Sequence, residues 1–218
     1  MNRNLLFPFL FLLGLFLLAV DHTGHSLGDR LFLGLGVEPW TGEHKSGAHL
    51  SAIVGIALLM LGMMCTVTYY KPKIPSIFAW CLLVCIGVYG LFPLMSEKTM
   101  FVLKQGANGA NSVDYSVKHN SCHFQPEEES ETNRIHAFCN VKVFNYGNAD
   151  HVQIRPLFPY YYEVNDFAPV TIAIPPHSTV TVEFELWNEP GDTADFSGWI
   201  ENMEFELLPA KPEEHEAA

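Results

Sequence analysis

The sequence predicts a helical membrane part joined to an all-β antiparallel sandwich, and three observations predict it. Residues 51–68 and 74–95 are two apolar runs without a charged side chain, each about the length a helix needs to cross roughly 30 Å of hydrocarbon. The turn between them, Tyr69-Tyr70-Lys71-Pro72-Lys73-Ile74-Pro75, holds two lysines and two prolines, which stop helices and mark a cytoplasmic side. Beyond residue 96 the apolar period becomes two, in short stretches separated by turn residues.

The elements follow in order. Residues 1–20 open with Arg3 and then run apolar from Leu5 to Val20, interrupted by Pro8 and Gly14. A signal peptide has the same anatomy. The stretch Leu18-Ala19-Val20-Asp21 is not a small-x-small cleavage site, so the expectation is an uncleaved first transmembrane helix, with a signal-like segment as the alternative. Arg3 on the cytoplasmic side places Asp21 outside, the Lys71/Lys73 turn inside and Ser96 outside again. The chain is thus expected to cross the cell membrane three times and to carry its C-terminal domain outside. Residues 21–47 form an external loop. Its apolar piece 31–37 is too short to span and is read as an interfacial or re-entrant turn pinned by Trp40. Thr41 or Ser46 is expected to cap the start of the second transmembrane helix, the first of the 48–95 hairpin, with Glu43 near its positive end. Gly55, Gly62, Gly87 and Gly90 are expected to permit close helix packing.

Residues 96–208 read as the sandwich. Residues 105–112 (QGANGANS) form a linker or flexible turn. Val113, Tyr115 and Val117 then alternate with polar residues, and Ile135, Ala137, Cys139, Val141 and Val143 share one face. Val170, Ile172 and Ile174 make a further series, as do Val180, Val182, Phe184 and Leu186, and 199–208 supplies the last strand. Asn145-Tyr146-Gly147-Asn148, Pro175-Pro176-His177-Ser178 and Asn188-Glu189-Pro190-Gly191 are the turns between them. No helical period intervenes, which selects an antiparallel β-sandwich. The acidic, Pro- and Ala-rich tail 209–218 is expected to be disordered.

Charge and cysteine usage divide the chain at the same place. Of 12 Lys/Arg and 24 Asp/Glu, only Arg3, Arg30, Lys45, Lys71 and Lys73, and Asp21, Asp29, Glu38 and Glu43, precede residue 96; the remaining seven basic and twenty acidic residues give the C-terminal part a formal charge of −13. That charge repels nucleic acid and anionic headgroups, so a nucleic-acid partner is not expected. Cys65, Cys81 and Cys85 lie in the apolar runs, whereas Cys122 and Cys139 lie in the polar part. In an oxidising compartment the latter two are expected to form a disulfide. It would close a loop of about seventeen residues and stabilise the domain by about 3 kcal/mol. The absence of a Cys-x-x-Cys spacing argues against a redox pair. The acidic run Glu127-Glu128-Glu129 between them lacks a calcium-loop pattern and reads as solvated.

Val143-Phe144-Asn145-Tyr146-Gly147-Asn148, followed by a strand, a Pro-Pro-x-Ser turn and the alternating strand that ends at Leu186, resembles the bacterial immunoglobulin-like modules of cell-surface proteins, including CARDB-type domains. The resemblance implies an immunoglobulin-like fold and a binding or spacer role, one of many such a fold can host. The Cys122/Cys139 pair is not part of its pattern.

Candidate sites are of three kinds. His22, His25, His44 and His49 flank the first two helices on the external side, where imidazoles can bind zinc or copper or titrate near neutrality; their spacing matches no zinc signature. Within the helices, Met60 and Met64 share a face, as do Cys81 and Cys85. In its Met-x-x-x-Met the second helix is similar to that of the three-helix copper transporters, although the third helix lacks their glycine motif and carries only Gly87-x-x-Gly90. Met and Cys are equally ordinary apolar filling. In the sandwich, Tyr160, Tyr161 and Tyr162 are the candidate partner-binding surface, or else core and edge cover. His119, His123 and His136 lie near the cysteines and either converge on a metal or face water. Ser116, Ser121, Ser178 and Ser197 sit in no Gly-x-Ser-x-Gly context, and no catalytic motif is present. The expected function is therefore non-enzymatic and without a cofactor. The protein is read as an interaction module or subunit of an envelope complex, partnered by the bilayer and another membrane or envelope protein. The alternative is a copper- or zinc-binding membrane protein.

Overall fold

The computed structural model describes residues 3–42, 47–126, 134–157, 167–188 and 197–209, and the chain divides into two units, Met1–Glu97 and Lys98–Ala218. The first is helical: α1 (Arg3–Leu18), α2 (Leu27–Gly34), α3 (Leu50–Tyr70) and most of α4 (Ile77–Leu103), whose end from Lys98 onward falls in the second unit. Helices α3 and α4, with mean hydropathy 2.3 and 2.2, are long and apolar enough to cross a membrane; α1 is shorter.

Glycine decides how α1 meets α3. A Cβ placed on Gly62 would lie 2.2 Å from the Phe11 backbone nitrogen, and one on Gly14 would lie 2.3 Å from that of Leu59. Only hydrogen fits at either position, so the two backbones approach each other directly. Gly55 is similarly covered by Leu17 and Leu18. Gly87 and Gly90 differ, since nothing lies within 4 Å of a Cβ built on either. One side of α4 (Cys81, Val84, Cys85 and Val88) packs on Phe11 and Leu15 of α1, and Phe16 meets Phe92 edge-on at 6.2 Å.

Three local expectations need revision. The 31–37 segment belongs largely to α2, whose N-terminus is capped by Ser26 accepting the Asp29 amide at 3.0 Å. Neither expected cap serves α3: His49 occupies its N-cap position without a side-chain bond, and Thr41 Oγ1 instead accepts the Ala48 amide at 2.9 Å. Ser46 and Glu43 lie outside the described residues. Helix α4 ends at Leu103 rather than near Met95, because no glycine or proline interrupts it after Pro93 and the Ser96 hydroxyl is absorbed by donating to the Pro93 carbonyl at 2.8 Å.

The second unit holds β1 (Val113–Pro126), β2 (Ile135–Asn145), β3 (His151–Leu157), β4 (Val170–Ala173), β5 (Ser178–Trp187), β6 (Gly198–Glu201) and β7 (Glu204–Pro209). They form two antiparallel sheets, ordered β5-β2-β1-β6 and β4-β3-β7. One apolar core joins them. Ile135, Ala137, Cys139, Val141 and Val143 of β2 are buried as their alternation predicts, together with Val152 and Ile154 of β3, Leu186 of β5 and Phe205 of β7. Cys122 and Cys139 are register partners and are bonded, with S–S 1.99 Å and Cα–Cα 4.1 Å, near the closer of the two antiparallel spacings.

Two asparagines organise the chain reversals. Asn145 is fully buried and donates to the carbonyls of Ala149 at 2.6 Å and Pro175 at 2.9 Å, while its own carbonyl accepts the Gly147 amide. Gly147 must be glycine, since a Cβ there would lie 2.2 Å from the Ala107 carbonyl oxygen. Asn120 follows an irregularity of β1 between Tyr115 and Asn120 and clamps Met203. Its amide donates to the Met203 carbonyl at 2.8 Å, and its carbonyl accepts the Met203 amide at 2.7 Å. With Asn202 in the left-handed region at φ 56°, the chain turns from β6 in one sheet to β7 in the other. The single strand expected over 199–208 is therefore two strands.

Candidate functional site

The histidines of the helical unit are drawn into its own polar contacts. Asp21 Oδ1 accepts the amides of Thr23, Gly24 and His25 and the Thr23 hydroxyl, and its other oxygen lies 2.7 Å from Arg30. His22 meets Ser96 through its amide at 3.2 Å and its Nδ1 at 3.0 Å. Because the Ser96 proton goes to Pro93, Nδ1 is the donor in that pair.

His49 stacks flat on Trp40, with centroids 4.2 Å apart, and its Nε2 lies 2.7 Å from Asp29 Oδ1 and 3.0 Å from Ser51 Oγ. Ser51 also donates to Asp29. A serine, a histidine and an aspartate thus meet, but not as a nucleophilic relay. The carboxylate accepts only, so it collects both the serine and the imidazole protons, and no ring lone pair faces the serine oxygen. Burial pushes the Asp29 carboxyl up. Hydrogen bonds from Ser51, His49 and Ser26 and the attraction of the His49 imidazole outweigh it, leaving the carboxyl below its ordinary value. His22 and His49 consequently engage separate partners. His44 lies outside the described residues, and among the described residues no three His, Cys, Asp or Glu side chains gather as a metal site. Tyr160, Tyr161 and Tyr162 also lie outside the described residues.

The β unit presents a different surface. Period two sends every second residue of the four-stranded sheet away from the core, and the register aligns these residues in rows. One row runs Glu185, Phe138, His123, Trp199 from β5 to β6; the next runs Glu183, Asn140, Ser121, Glu201. Beside them lies the pair Trp187 and His136. Phe138 is 41% exposed, Trp187 41% and Trp199 63%. The rows border a shallow concavity of about 550 Å³. His136 stacks on Trp187, with centroids 3.9 Å apart and planes 5° apart, and its Nε2 lies 3.2 Å from Glu185. His123 rests 5.7 Å from the Trp199 ring, and Asn140 donates to Glu183 at 3.2 Å.

This face was not singled out by the sequence. His123 and His136, expected either to converge or to face water, are each set beside an indole. The available signal was the outward half of the alternation: Phe138 in the run 135–143, and Glu183 and Glu185 between Val182, Phe184 and Leu186. Comparison of the chain with family models, with curated proteins and with solved structures gives no match. Function must therefore be read from the sites themselves.

Proposed function

We propose that this chain is a membrane-anchored interaction module, a subunit of an envelope complex whose β domain engages another protein outside the cell membrane. One observation carries the reading: Phe138, Trp187 and Trp199 stay exposed together on one sheet face, where a domain with no partner ordinarily keeps large apolar groups scattered. Aromatic residues of this kind are enriched in binding interfaces. The membrane reading rests on α3 and α4, with α1 as a third crossing beside α3. Lys71 and Lys73 hold the intervening turn, and the N-terminus, in the cytoplasm. The Cys122–Cys139 bond supports an oxidising location for the β domain. An immunoglobulin-like topology is supported by strand order: β1, β2 and β5 pair as the A, B and E strands of such a sandwich do, and β3 sits between β4 and β7 in the opposite sheet.

The test is site-specific photocrosslinking in intact cells. A photoreactive residue in place of Trp199 should give one discrete adduct, and the same residue in place of Thr171, exposed on the opposite sheet, should not. Equal, diffuse crosslinking from both positions would overturn the reading.

A further inference from the structure

We infer that the outer face of the β5-β2-β1-β6 sheet receives an arginine-bearing basic segment of a partner protein. This assignment of the partner's chemistry rests on the interaction reading above. The face offers π surfaces and acceptors in excess of donors. Glu183 and Glu185 stand on the β5 edge and Trp199 with Glu201 on the β6 edge, with Phe138 and His123 between them; Lys118 and Lys142 lie beyond Glu201, outside the row of Trp199. Carboxylates only accept, and aromatic faces attract cations. A sugar would need donors as well as acceptors, and the amide of Asn140 is already given to Glu183. A guanidinium is planar, rich in N–H and weakly hydrated, so it can lie on an indole while pairing sideways with a carboxylate.

The protein builds that arrangement once with its own residues. The planar His136 ring lies flat on Trp187 and points Nε2 at Glu185. One row past the concavity, the Lys142 ammonium sits over Phe144 at 5.1 Å. Between these two internal pairs, Trp199 keeps its exposed face and Glu201 lies one row away on the same strand. The formal charge of −13 beyond residue 95 draws a basic partner at long range.

The test uses the full chain in lipid nanodiscs and fluorescein-labelled nonapeptides, one rich in arginine and one of the same length rich in glutamate, read by anisotropy. The arginine peptide should bind, less tightly as salt rises, and the glutamate peptide should not. Trp199→Ala and the double variant Glu183→Gln/Glu185→Gln should each weaken binding by about tenfold or more, the size of a strong interface contact. Glu204→Gln/Glu206→Gln, which removes the same charge from the other sheet, should leave it within about twofold. Equal loss from both double variants would reduce the effect to net charge and overturn the assignment. So would retention of binding by Trp199→Ala, or a neutral oligosaccharide that quenches Trp199 while the arginine peptide does not bind. A crosslink at position 199 without arginine-peptide binding would sink this inference and leave the interaction reading standing. Face-specific peptide binding without a cellular adduct would do the reverse.

Discussion

The helical unit and the β unit use the same residue types to opposite ends. In the helical unit, His49 is stacked on Trp40 and bonded to Asp29, and His22 is bonded to Ser96. Its aromatic and polar groups are committed to holding short segments on helix ends. In the β unit, His123, His136, Trp187 and Trp199 point away from the core on a sheet that is already closed by its disulfide and its apolar interior. A cluster of histidines and carboxylates is therefore a poor guide to function until its partners are known. The informative residues are those that the fold does not need.

That contrast can be broken or sharpened by substitution, beginning where the effect should be greatest. Gly62→Leu sets a side chain against the Phe11 backbone, which cannot move aside as a rotamer would, and should cost about 3 kcal/mol or more. Thermal unfolding in detergent should show a lower Tm, whereas Gly87→Leu, with open space around it, should match the parent. Replacing both Cys122 and Cys139 by serine should cost about 3 kcal/mol in denaturant titration of the β unit. Reductant should reproduce the loss in the parent and add nothing in the variant.

Asp29→Asn should cost about 1 kcal/mol, since the partly exposed carboxylate accepts from both Ser51 and His49. Its lowered pKa fixes the sign of the pH dependence. The unfolded group titrates near 3.8 and the folded group below that, so the contribution is complete above pH ~5 and falls away as pH drops through the folded value. Stability of the parent and of Asp29→Asn should converge in acid; a constant difference from pH 7 to pH 3 would refute the assignment. Least affected should be Trp199→Ala, whose Tm should change little because a 63% exposed ring contributes almost nothing to the core; about 0.5 kcal/mol is the bound. A large loss there would assign the ring to folding and remove the contrast between the two units.

Legibility in the sequence followed burial. The inward face of β2 and the Cys122–Cys139 bond could be read because strict alternation fixes the side that each residue takes. Strand β3 is poorly legible because its inward series is short and ends in a proline, Val152, Ile154 and Pro156, while Arg155 takes an outward slot and pairs with Glu206 on the neighbouring strand. The length of β1 was hidden by the irregularity between Tyr115 and Asn120, which resets its alternation. The outer face of the four-stranded sheet was least legible. Phe138, Glu185 and Trp199 become neighbours only through the register of β2 with β5 and of β1 with β6, and pairing at long sequence separation is not written into any local pattern.

The Asn120 clamp on Met203 spans 83 residues, and with β6 it joins the beginning of the domain to its end. Strands β1, β2 and β5 pair among residues 113–187, whereas Trp199 and Glu201 reach their places through the pairing of β6 with β1, about 80 residues apart in sequence. Non-local pairing of this kind is slow. A chain lacking β6 would carry the β5-β2-β1 pairing without Trp199, its most exposed indole.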